Sequence, residues 1–242
     1  MWRAVTIAGK PADVLDPPGE RPRFALLFLH NLQGQTLAGV ASATALLQRH
    51  GLACVCPHGK RSWWADRVCA EFDPKTTAER FLADSVVPFA RQRWELPPRR
   101  IGLLGVGMGG QGALKLAFRY PQAFPAVAAI APALDCHDLY GRGTPLDDMY
   151  DSKEQCRQDT APLHLPPHDP PPHIWWCHDP DDEHWQRGGD RLHEKMGALG
   201  IEHVADLDTR AAGQPEAYFE RMLTRAVEFL LAGLEKESRR LL

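Results

Sequence analysis

The chain has little of what would direct it to a membrane or to a nucleic acid. No apolar run approaches the roughly 20 residues that a membrane-spanning helix needs. The N-terminus, residues 1–5, lacks the long apolar core of a secretory signal, so we expect a cytoplasmic protein. The net charge of −3 supplies no excess of positive charge for a nucleic acid or an anionic membrane surface, and neither is expected as a partner.

The sequence also lacks paired cysteine motifs. None of its six cysteines forms a C-x-x-C pair. In a chain without a secretory signal, such cysteines are expected to stay reduced. Cys54 and Cys56 alternate within residues 52–57 and are predicted to be buried as small apolar residues. No cofactor and no metal ion is expected.

What the chain does have is an alternation of short apolar runs with helix-length segments. Its 242 residues, 44% of them hydrophobic, suit a single α/β domain spanning residues 1–242. The nearly continuous apolar run at 24–30 is typical of a strand buried on both faces of a parallel sheet. The alternation therefore predicts a doubly wound, mostly parallel sheet without a large lid domain.

The individual elements follow from these runs. Strands are predicted at 2–8, 24–30, 52–57, 101–106, 126–131, 173–177 and 203–208, with residues 12–18 as a further partner of the first strand. Helices are predicted at 36–50, 77–94, 109–120, 186–200 and 215–237. Pro88 interrupts the second of these helices, so we expect a kink or a break there. The Pro- and His-rich residues 161–173 predict an irregular loop.

A glycine-lined turn at residues 105–109 joins a predicted strand to a predicted helix. A G-x-S-x-G turn in this position presents a serine nucleophile, and its glycines let the strand and the helix approach closely. Here the central residue is Gly107 instead of serine. Gly105, Gly107 and Gly110 also fit a G-x-G-x-x-G dinucleotide loop. That interpretation is disfavoured because the strand is not the first of the sheet and no acidic residue clearly ends a following strand about 20 residues later.

Three further loops follow predicted strands and therefore share the carboxyl edge of the sheet, where α/β sheets place their chemistry. Residues 30–34 could supply a backbone N–H to an oxyanion hole, or they form an ordinary loop. Asp181 or Asp182 is the candidate acid, and an aspartate-rich turn that caps the next helix is the alternative. After the last strand, the position suited to a histidine base holds Gln214, which cannot accept and return a proton at neutral pH.

Together these segments resemble the Putative esterase family of α/β-hydrolases, which includes S-formylglutathione hydrolases, feruloyl esterases and mycolyltransferases. The resemblance spans residues 23–235 and is most specific in GVGMGGQGALKLAFRYPQAFPAVAAIAPALD. This segment follows the family pattern of G-x-S-M-G-G-x-G-A-L, a helix, Y/H-P-x-x-F and a strand ending in S-P-A-x-D, except at Gly107 and Ala131. In AAGQPEAYFERML, Gly213 matches the family's G-G-H-x-W segment and Gln214 replaces its histidine.

The resemblance implies an α/β-hydrolase fold and a role for each matching position. The implied roles are nucleophile position for Gly107, acid for Asp181 (or Asp182), base position for Gln214, and oxyanion-hole amides for Leu32 and Met108. With two of the three triad side chains missing, we expect serine-hydrolase catalysis to be lost. We expect a pocket for a small acyl or ester-like ligand, or for a protein partner, to remain, because the family includes non-catalytic members that act by binding.

Two other functions stay open from the residues. An esterase with a relocated nucleophile would use Cys136 or Cys177, with His30, His137 or His178 as base. A metal-binding protein would use Cys177, the neighbouring aspartates and the histidines at 164, 168, 173, 178 and 184. The histidine spacing matches no zinc signature, and exposed histidines in a Pro-rich loop are the alternative.

Residues 58–73 follow a predicted strand and also lie at the carboxyl edge. Together with a residue of the preceding edge loop, they predict a ligand pocket lined by His30, Trp63, Trp64 and Arg67. In that pocket Arg61 or Arg67 would hold a ligand carboxylate. The alternative is that the two tryptophans close the edge of the core and that Arg67 pairs with Asp66 or Asp73.

Overall fold

The computed structural model describes residues 1–19 and 21–240. They contain one mostly parallel sheet of eight strands. Its strands β1 to β8 are, in turn, Trp2–Ile7, Lys10–Leu15, Ala25–Leu29, Ala53–Pro57, Ile101–Val106, Ala126–Ile130, His173–Cys177 and Val204–Asp206. They stand in the order β1-β2-β4-β3-β5-β6-β7-β8. Strand β2 is antiparallel to both of its neighbours, and the six strands from β4 to β8 along the sheet are parallel.

Helices cover both faces of the sheet. The α-helices α1 to α8 are Ala41–Arg49, Ala78–Phe81, Val87–Trp94, Met108–Arg119, Leu146–Met149, Lys153–Gln158, Glu183–Ala198 and Pro215–Arg240. Leu47 of α1 and Leu230 of α8 belong to the apolar cluster on one face. Leu114 of α4 and Leu192 of α7 belong to the cluster on the other. The doubly wound arrangement is therefore confirmed. Among the described helices, none is long and apolar enough to cross a membrane.

Strand β3 shows why the continuous apolar run predicts its position correctly. All five of its residues are buried. Leu27 points into the cluster that contains α4, whereas Leu26 and Phe28 point into the cluster that contains α1 and α8. Because successive side chains of a strand face opposite sides, a strand between two helical layers needs apolar residues at every position.

The first two strands form the predicted hairpin. Trp2 lies opposite Leu15 in an antiparallel register, and Gly9 makes the turn with φ 80°. Strand β2 begins at Lys10 rather than at residue 12. This hairpin adds an antiparallel edge to the otherwise parallel sheet.

The segment with Pro88 stays helical, although a kink or a break was predicted. A π-helical turn at Leu82–Val86 connects α2 to α3, and Pro88 lies in the first turn of α3. A proline in a first turn loses little, because that N–H has no partner within its own helix. The π-helical turn widens the backbone just before the proline ring and accommodates it.

The connection between β6 and β7 contains short helices that the sequence did not predict. They are α5, α6 and the 3₁₀ turns at Cys136–Leu139 and Ala161–Leu163, the second of which begins the segment predicted as irregular. Asp159 accepts hydrogen bonds from the Lys115 ammonium at 2.5 Å and from the Tyr150 hydroxyl at 2.6 Å. Lys115 belongs to α4 and its side chain is buried. The ion pair therefore anchors this connection to the helix that follows the glycine turn.

Candidate functional site

The glycine turn after β5 presents one residue at the carboxyl edge of the sheet. Gly107 has φ 55° and ψ −114°, a conformation that is strained for any residue with a Cβ atom. Its N–H donates to the Ile130 carbonyl at 3.0 Å, and its own carbonyl accepts from Ala133 N–H at 3.0 Å and from Gln111 N–H at 3.1 Å. Backbone hydrogen bonds from two elements thus fix the turn.

The glycines on either side of Gly107 are required by the close approach of β5, β3 and α4. A Cβ atom on Gly105 would lie 2.0 Å from the carbonyl oxygen of Gly109. A Cβ atom on Gly109 would lie 1.9 Å from the carbonyl oxygen of Leu29. Both distances are far inside van der Waals contact, so no larger residue fits at either position.

Gly107 itself lies in open space. The nearest atom to a Cβ built on it is Asn31 Cβ at 3.7 Å, an ordinary contact distance. Space alone therefore does not require a glycine here. The backbone conformation is the only local reason for one, and the residue offers no side-chain atom for chemistry.

The loop after β3 faces this turn and is held by Asn31. The Asn31 carboxamide oxygen accepts from Gln33 N–H at 3.1 Å and from Gln35 N–H at 3.3 Å, and its carbonyl accepts from Gly34 N–H at 3.1 Å. Within residues 1–19 and 21–240, neither Leu32 N–H nor Met108 N–H donates a hydrogen bond. Two donors are thus free, one at the N-terminus of α4 next to Gly107 and one in the loop whose Asn31 faces Gly107.

His30 is fixed as a neutral residue rather than being available as a base. Its Nδ1–H donates to the Asn31 carbonyl at 2.7 Å, and its Nε2 accepts from Gly59 N–H at 2.9 Å. These partners assign the tautomer, because a carbonyl only accepts and an amide N–H only donates. Burial lowers the pKa of His30 below its usual value. The proposed role of His30 as a base for a relocated nucleophile is therefore wrong.

The candidate acids lie in the loop between β7 and α7. Asp181 pairs with the Arg210 guanidinium, and both side chains are half exposed. Asp182 directly precedes α7, but its side chain does not cap the helix. Asp179 forms an aspartate turn, because its Oδ1 accepts from Asp181 N–H at 3.0 Å, but the helix cap that the alternative also predicted is not formed. The Asp181–Arg210 pair was not predicted, since it joins two exposed loops that carry no shared motif.

The loop with Gln214 adjoins the loop with the candidate acids. Ala211 N–H donates to Asp179 Oδ2 at 3.1 Å. Gln214 is exposed and directly precedes α8, where its carbonyl accepts from Tyr218 N–H at 3.0 Å. Its carboxamide makes no hydrogen bond to any residue that the structure describes. The geometry thus brings together the two loops but leaves the Gln214 side chain in solvent.

The two tryptophans belong to the core, so the pocket prediction is wrong for them. Trp63 and Trp64 are 3% and 1% exposed. The Trp64 ring fills the space beside Gly59, where a Cβ atom would lie 2.5 Å from it, and its indole N–H donates to the His30 carbonyl at 3.2 Å. The alternative reading, in which they close the edge of the core, is the one that the structure supports.

The two arginines of the same segment, Arg61 and Arg67, were expected either to line a ligand pocket or, for Arg67, to pair with an aspartate. Arg67 is exposed, and its guanidinium lies 5.5 Å above the Tyr150 ring rather than beside Asp66 or Asp73. Arg61 forms a two-pronged ion pair with Glu71, with its Nε 2.9 Å from Oε2. Arg67 is therefore not among the residues that line the cavity described below, although it was predicted to line a pocket, whereas Arg61 does line it.

The cysteines offer no relocated nucleophile. Cys136 and Cys177 are both buried. Burial raises the pKa of the Cys177 thiol to about 12, and a hydrogen bond with Cys156 together with burial raises the pKa of Cys136. Burial lowers the pKa of the neighbouring candidate bases His137 and His178. Protonated, enclosed thiols do not attack esters.

The histidines of the Pro-rich region are dispersed rather than gathered around a metal ion. His164 Nε2 lies 3.1 Å from Asp159, and His173 Nε2 lies 3.3 Å from Glu237. His184 instead packs against the Trp185 ring. Among the described residues, no group of three or more His, Cys, Asp or Glu side chains is placed to hold a metal ion.

A cavity of about 400 Å³ opens beside the loop that faces Gly107. Leu32, Gln33 and Gly34 of that loop line it on one side, and Pro11 and Phe72 form an apolar part of its wall. Of the residues predicted for the pocket, His30 and Arg61 border this cavity. A ligand placed there would contact Leu32.

Comparison with known proteins identifies the fold and the family. The model of the Putative esterase family matches residues 20–207. An acetyl esterase of Caldicellulosiruptor saccharolyticus is 27% identical over 122 residues, which is 48% of this chain but only 44% of that relative.

Two solved structures share the arrangement of elements. The fluorophosphonate-binding serine hydrolase FphF of Staphylococcus aureus superposes with a TM-score of 0.77 at 14% identity, over 95% of this chain and 97% of that one. An S-formylglutathione hydrolase from Agrobacterium tumefaciens gives 0.76 at 15% identity, over 97% and 94%. They confirm the predicted α/β-hydrolase fold without a large extra domain. With the glycine turn and its facing loop in place, and with a family match over most of its length, the chain belongs to the Putative esterase family.

Proposed function

We propose that this chain is a non-catalytic member of its family that binds a small acyl or ester-like ligand in the cavity beside the loop that faces Gly107. The observation that carries the proposal is the state of the glycine turn. The turn keeps a strained conformation, Met108 N–H and Leu32 N–H of the facing loop are free, and yet the central residue of the turn has no side chain. The frame that would hold an ester carbonyl is present without the atom that would attack it.

The missing nucleophile has a large effect on rate. In our assignment Gly107 occupies the nucleophile position, and the N–H groups of Leu32 and Met108 form the oxyanion hole. Donors and a binding pocket alone leave only about 10³- to 10⁴-fold acceleration over water in serine hydrolases. Turnover of this chain is therefore expected to stay far below that of an active esterase.

The base and the acid support the same assignment. We assign Gln214 to the base position, where a carboxamide neither accepts nor returns a proton at neutral pH. We assign Asp181 to the acid position, and its carboxylate pairs with Arg210 instead of a histidine. Each of the three assigned triad positions thus lacks either the side chain or the partner that its chemistry needs.

Phenyl acetate and a fluorophosphonate probe test this proposal on the wild-type chain. We expect calorimetry to detect binding of phenyl acetate, no hydrolysis above the background rate, and no mass increase after fluorophosphonate treatment. Gln33→Trp, which fills the cavity from its exposed rim, should weaken binding, whereas Gln48→Trp on α1 should not. Labelling of one residue, rapid turnover or absence of binding would each refute the proposal.

A further inference from the structure

The cavity beside Leu32 is surrounded by basic side chains. Lys10, His58, Lys60 and Arg61 all border it. Its apolar wall offers a place for the body of a ligand, while these four residues determine which charge the ligand can carry. The question is which of the four is free to meet a charged group.

Three of the four already have an acidic partner of their own. The Lys10 ammonium lies 2.6 Å from Asp73 Oδ2. His58 Nε2 lies 3.0 Å from Asp13 Oδ2, and Arg61 Nε lies 2.9 Å from Glu71 Oε2. A ligand anion would have to displace one of these carboxylates in order to bind the same side chain.

Lys60 differs from the other three. It is exposed, and no carboxylate of residues 1–19 or 21–240 lies within ion-pair distance of its ammonium group. Glu71 is close enough for its pKa to be lowered chiefly by Arg61 and to a small extent by Lys60, but Arg61 occupies both of its oxygens. Lys60 also has φ 52°, a left-handed conformation that is unfavourable for a residue with a Cβ atom.

We propose that Lys60 binds an anionic group of the ligand, so that the cavity selects acyl or ester compounds that carry a carboxylate. This inference rests on the proposed function and adds the charge of the ligand to it. The ligand carboxylate completes a pattern in which every other basic side chain around the cavity already has an acidic partner. The acyl group would meanwhile lie against Leu32, which also lines the cavity.

The strength of this contact follows from its exposure. Lys60 lies at the surface, and an exposed ion pair contributes modestly because water and salt screen it. We therefore expect a preference of about two- to fivefold in Kd for an anionic ligand, within the range of such exposed pairs. The preference should shrink as the salt concentration rises.

The test compares two probes of similar shape, neutral phenyl acetate and anionic 4-acetoxybenzoate. Calorimetry on the wild-type chain should give the tighter Kd for 4-acetoxybenzoate. Lys60→Gln should abolish that preference while the Kd of phenyl acetate stays unchanged, which also shows that the variant is folded. Lys75→Gln removes another exposed lysine, one that does not border the cavity, and should keep the preference.

The outcomes separate this inference from the proposed function. If neither probe binds, the proposed function fails and this inference fails with it. If both probes bind the wild-type chain equally well, the proposed function stands and the selection of anions is refuted. A preference that survives Lys60→Gln, or that does not respond to salt, would likewise overturn the role of Lys60.

Discussion

The glycine turn and the two loops of the candidate acid and base lie at the same edge of the sheet but are constrained very differently. Gly105 and Gly109 have backbone atoms within 2.0 Å and 1.9 Å of a Cβ position, so packing dictates both residues. Gln214 is exposed, and Asp181 is half exposed in contact with an arginine. Packing therefore maintains the turn whatever its chemistry, whereas the loops can change their side chains without affecting the core.

Gly107 shows the same contrast within a single turn. Its neighbours are fixed by contacts, but its own Cβ position meets only Asn31 at 3.7 Å. A residue that packing does not require is kept by chemistry or by backbone conformation. If chemistry is absent, as we propose, then glycine is the residue that best suits φ 55°.

The largest effect is expected for Gly109→Ala. Because the added Cβ would lie 1.9 Å from the Leu29 carbonyl, β3 and α4 would have to separate. We expect a loss of roughly 4 kcal/mol or more in the free energy of unfolding, or no soluble protein. Gly197→Ala in α7, where nothing lies within 4 Å, is the control and should gain up to about 1 kcal/mol. Similar urea midpoints for the two variants would show that packing does not constrain the turn.

The next largest effect concerns the combined variant Gly107→Ser with Gln214→His. If the frame is intact, it should hydrolyse phenyl acetate on the order of a hundredfold faster than the wild-type chain. Each single variant serves as a control and should remain near the background rate, because neither a nucleophile without a base nor a base without a nucleophile completes the reaction. Equal rates in the combined and wild-type proteins would mean that the loops no longer face the turn.

Gly107→Ser alone should lower stability, because a positive φ is strained for serine but not for glycine. We expect a decrease of about 1–3 kcal/mol in the free energy of unfolding by urea. Gly39→Ser is the control, since that position has open space and no positive φ, and it should change stability little. A serine variant at least as stable as the wild-type chain would show that the turn is not strained.

Arg210→Ala tests whether the ion pair keeps Asp181 from a restored base. Added to the combined variant, it should raise kcat/KM about tenfold, because the released carboxylate can orient the new imidazole. It should also raise the pKa seen in the pH–rate profile, since a free carboxylate stabilises the imidazolium. Arg225→Ala, which removes a similar exposed arginine from Asp206, is the control. A lower rate on loss of Arg210 would contradict this account.

The smallest expected effect is the contribution of His30 to the pH dependence of the free energy of unfolding. Its pKa is lowered in the folded protein, so the unfolded chain takes up the proton first as the pH falls. Its contribution to stability is complete above the ordinary histidine pKa of about 6.5 and is lost as the pH falls from there toward the folded-state value. We expect His30→Gln to reduce the slope of stability against pH below 6.5, by at most about 1.4 kcal/mol per pH unit.

The matching substitution at half-exposed His50 provides the reference for that measurement. Burial also lowers the pKa of His137, His173 and His178, and these groups contribute equally to the wild-type chain and to the variant. The difference between the two slopes therefore belongs to His30. Identical slopes would mean that His30 is free to bind a proton in the folded protein.

The fold was predictable where burial alone decides the sequence pattern. Strand β3 is apolar throughout because both of its faces are covered, and the helix after the glycine turn was displaced by only one residue. Helix α7 begins at Glu183 rather than at residue 186, and β8 is shorter than predicted. The first and last residues of helices and strands depend on loop contacts, which the periodicity of the apolar residues does not encode.

What could not be predicted depends on contacts between distant residues. The short helices between β6 and β7 are held by Asp159, whose partner Lys115 lies on another element. Trp64 looked like pocket lining, but the space beside Gly59 and Gly112 receives its ring. At the candidate site, the resemblance to the family assigned the backbone donors, and their role stays a prediction, whereas the Asp181–Arg210 pair depends on how two loops fold together.

The open space over Gly107 would allow a small molecule to be attached covalently to a residue introduced at this position. A cysteine placed there would stand at the N-terminus of α4, where the helix dipole favours a thiolate. All six native cysteines are buried, so a disulfide-exchange reagent would modify the introduced thiol first. Screening small disulfides against such a variant by intact mass would select molecules by their fit to the neighbouring cavity. The absence of a side chain at one position thus offers a direct chemical route to identifying what the protein binds.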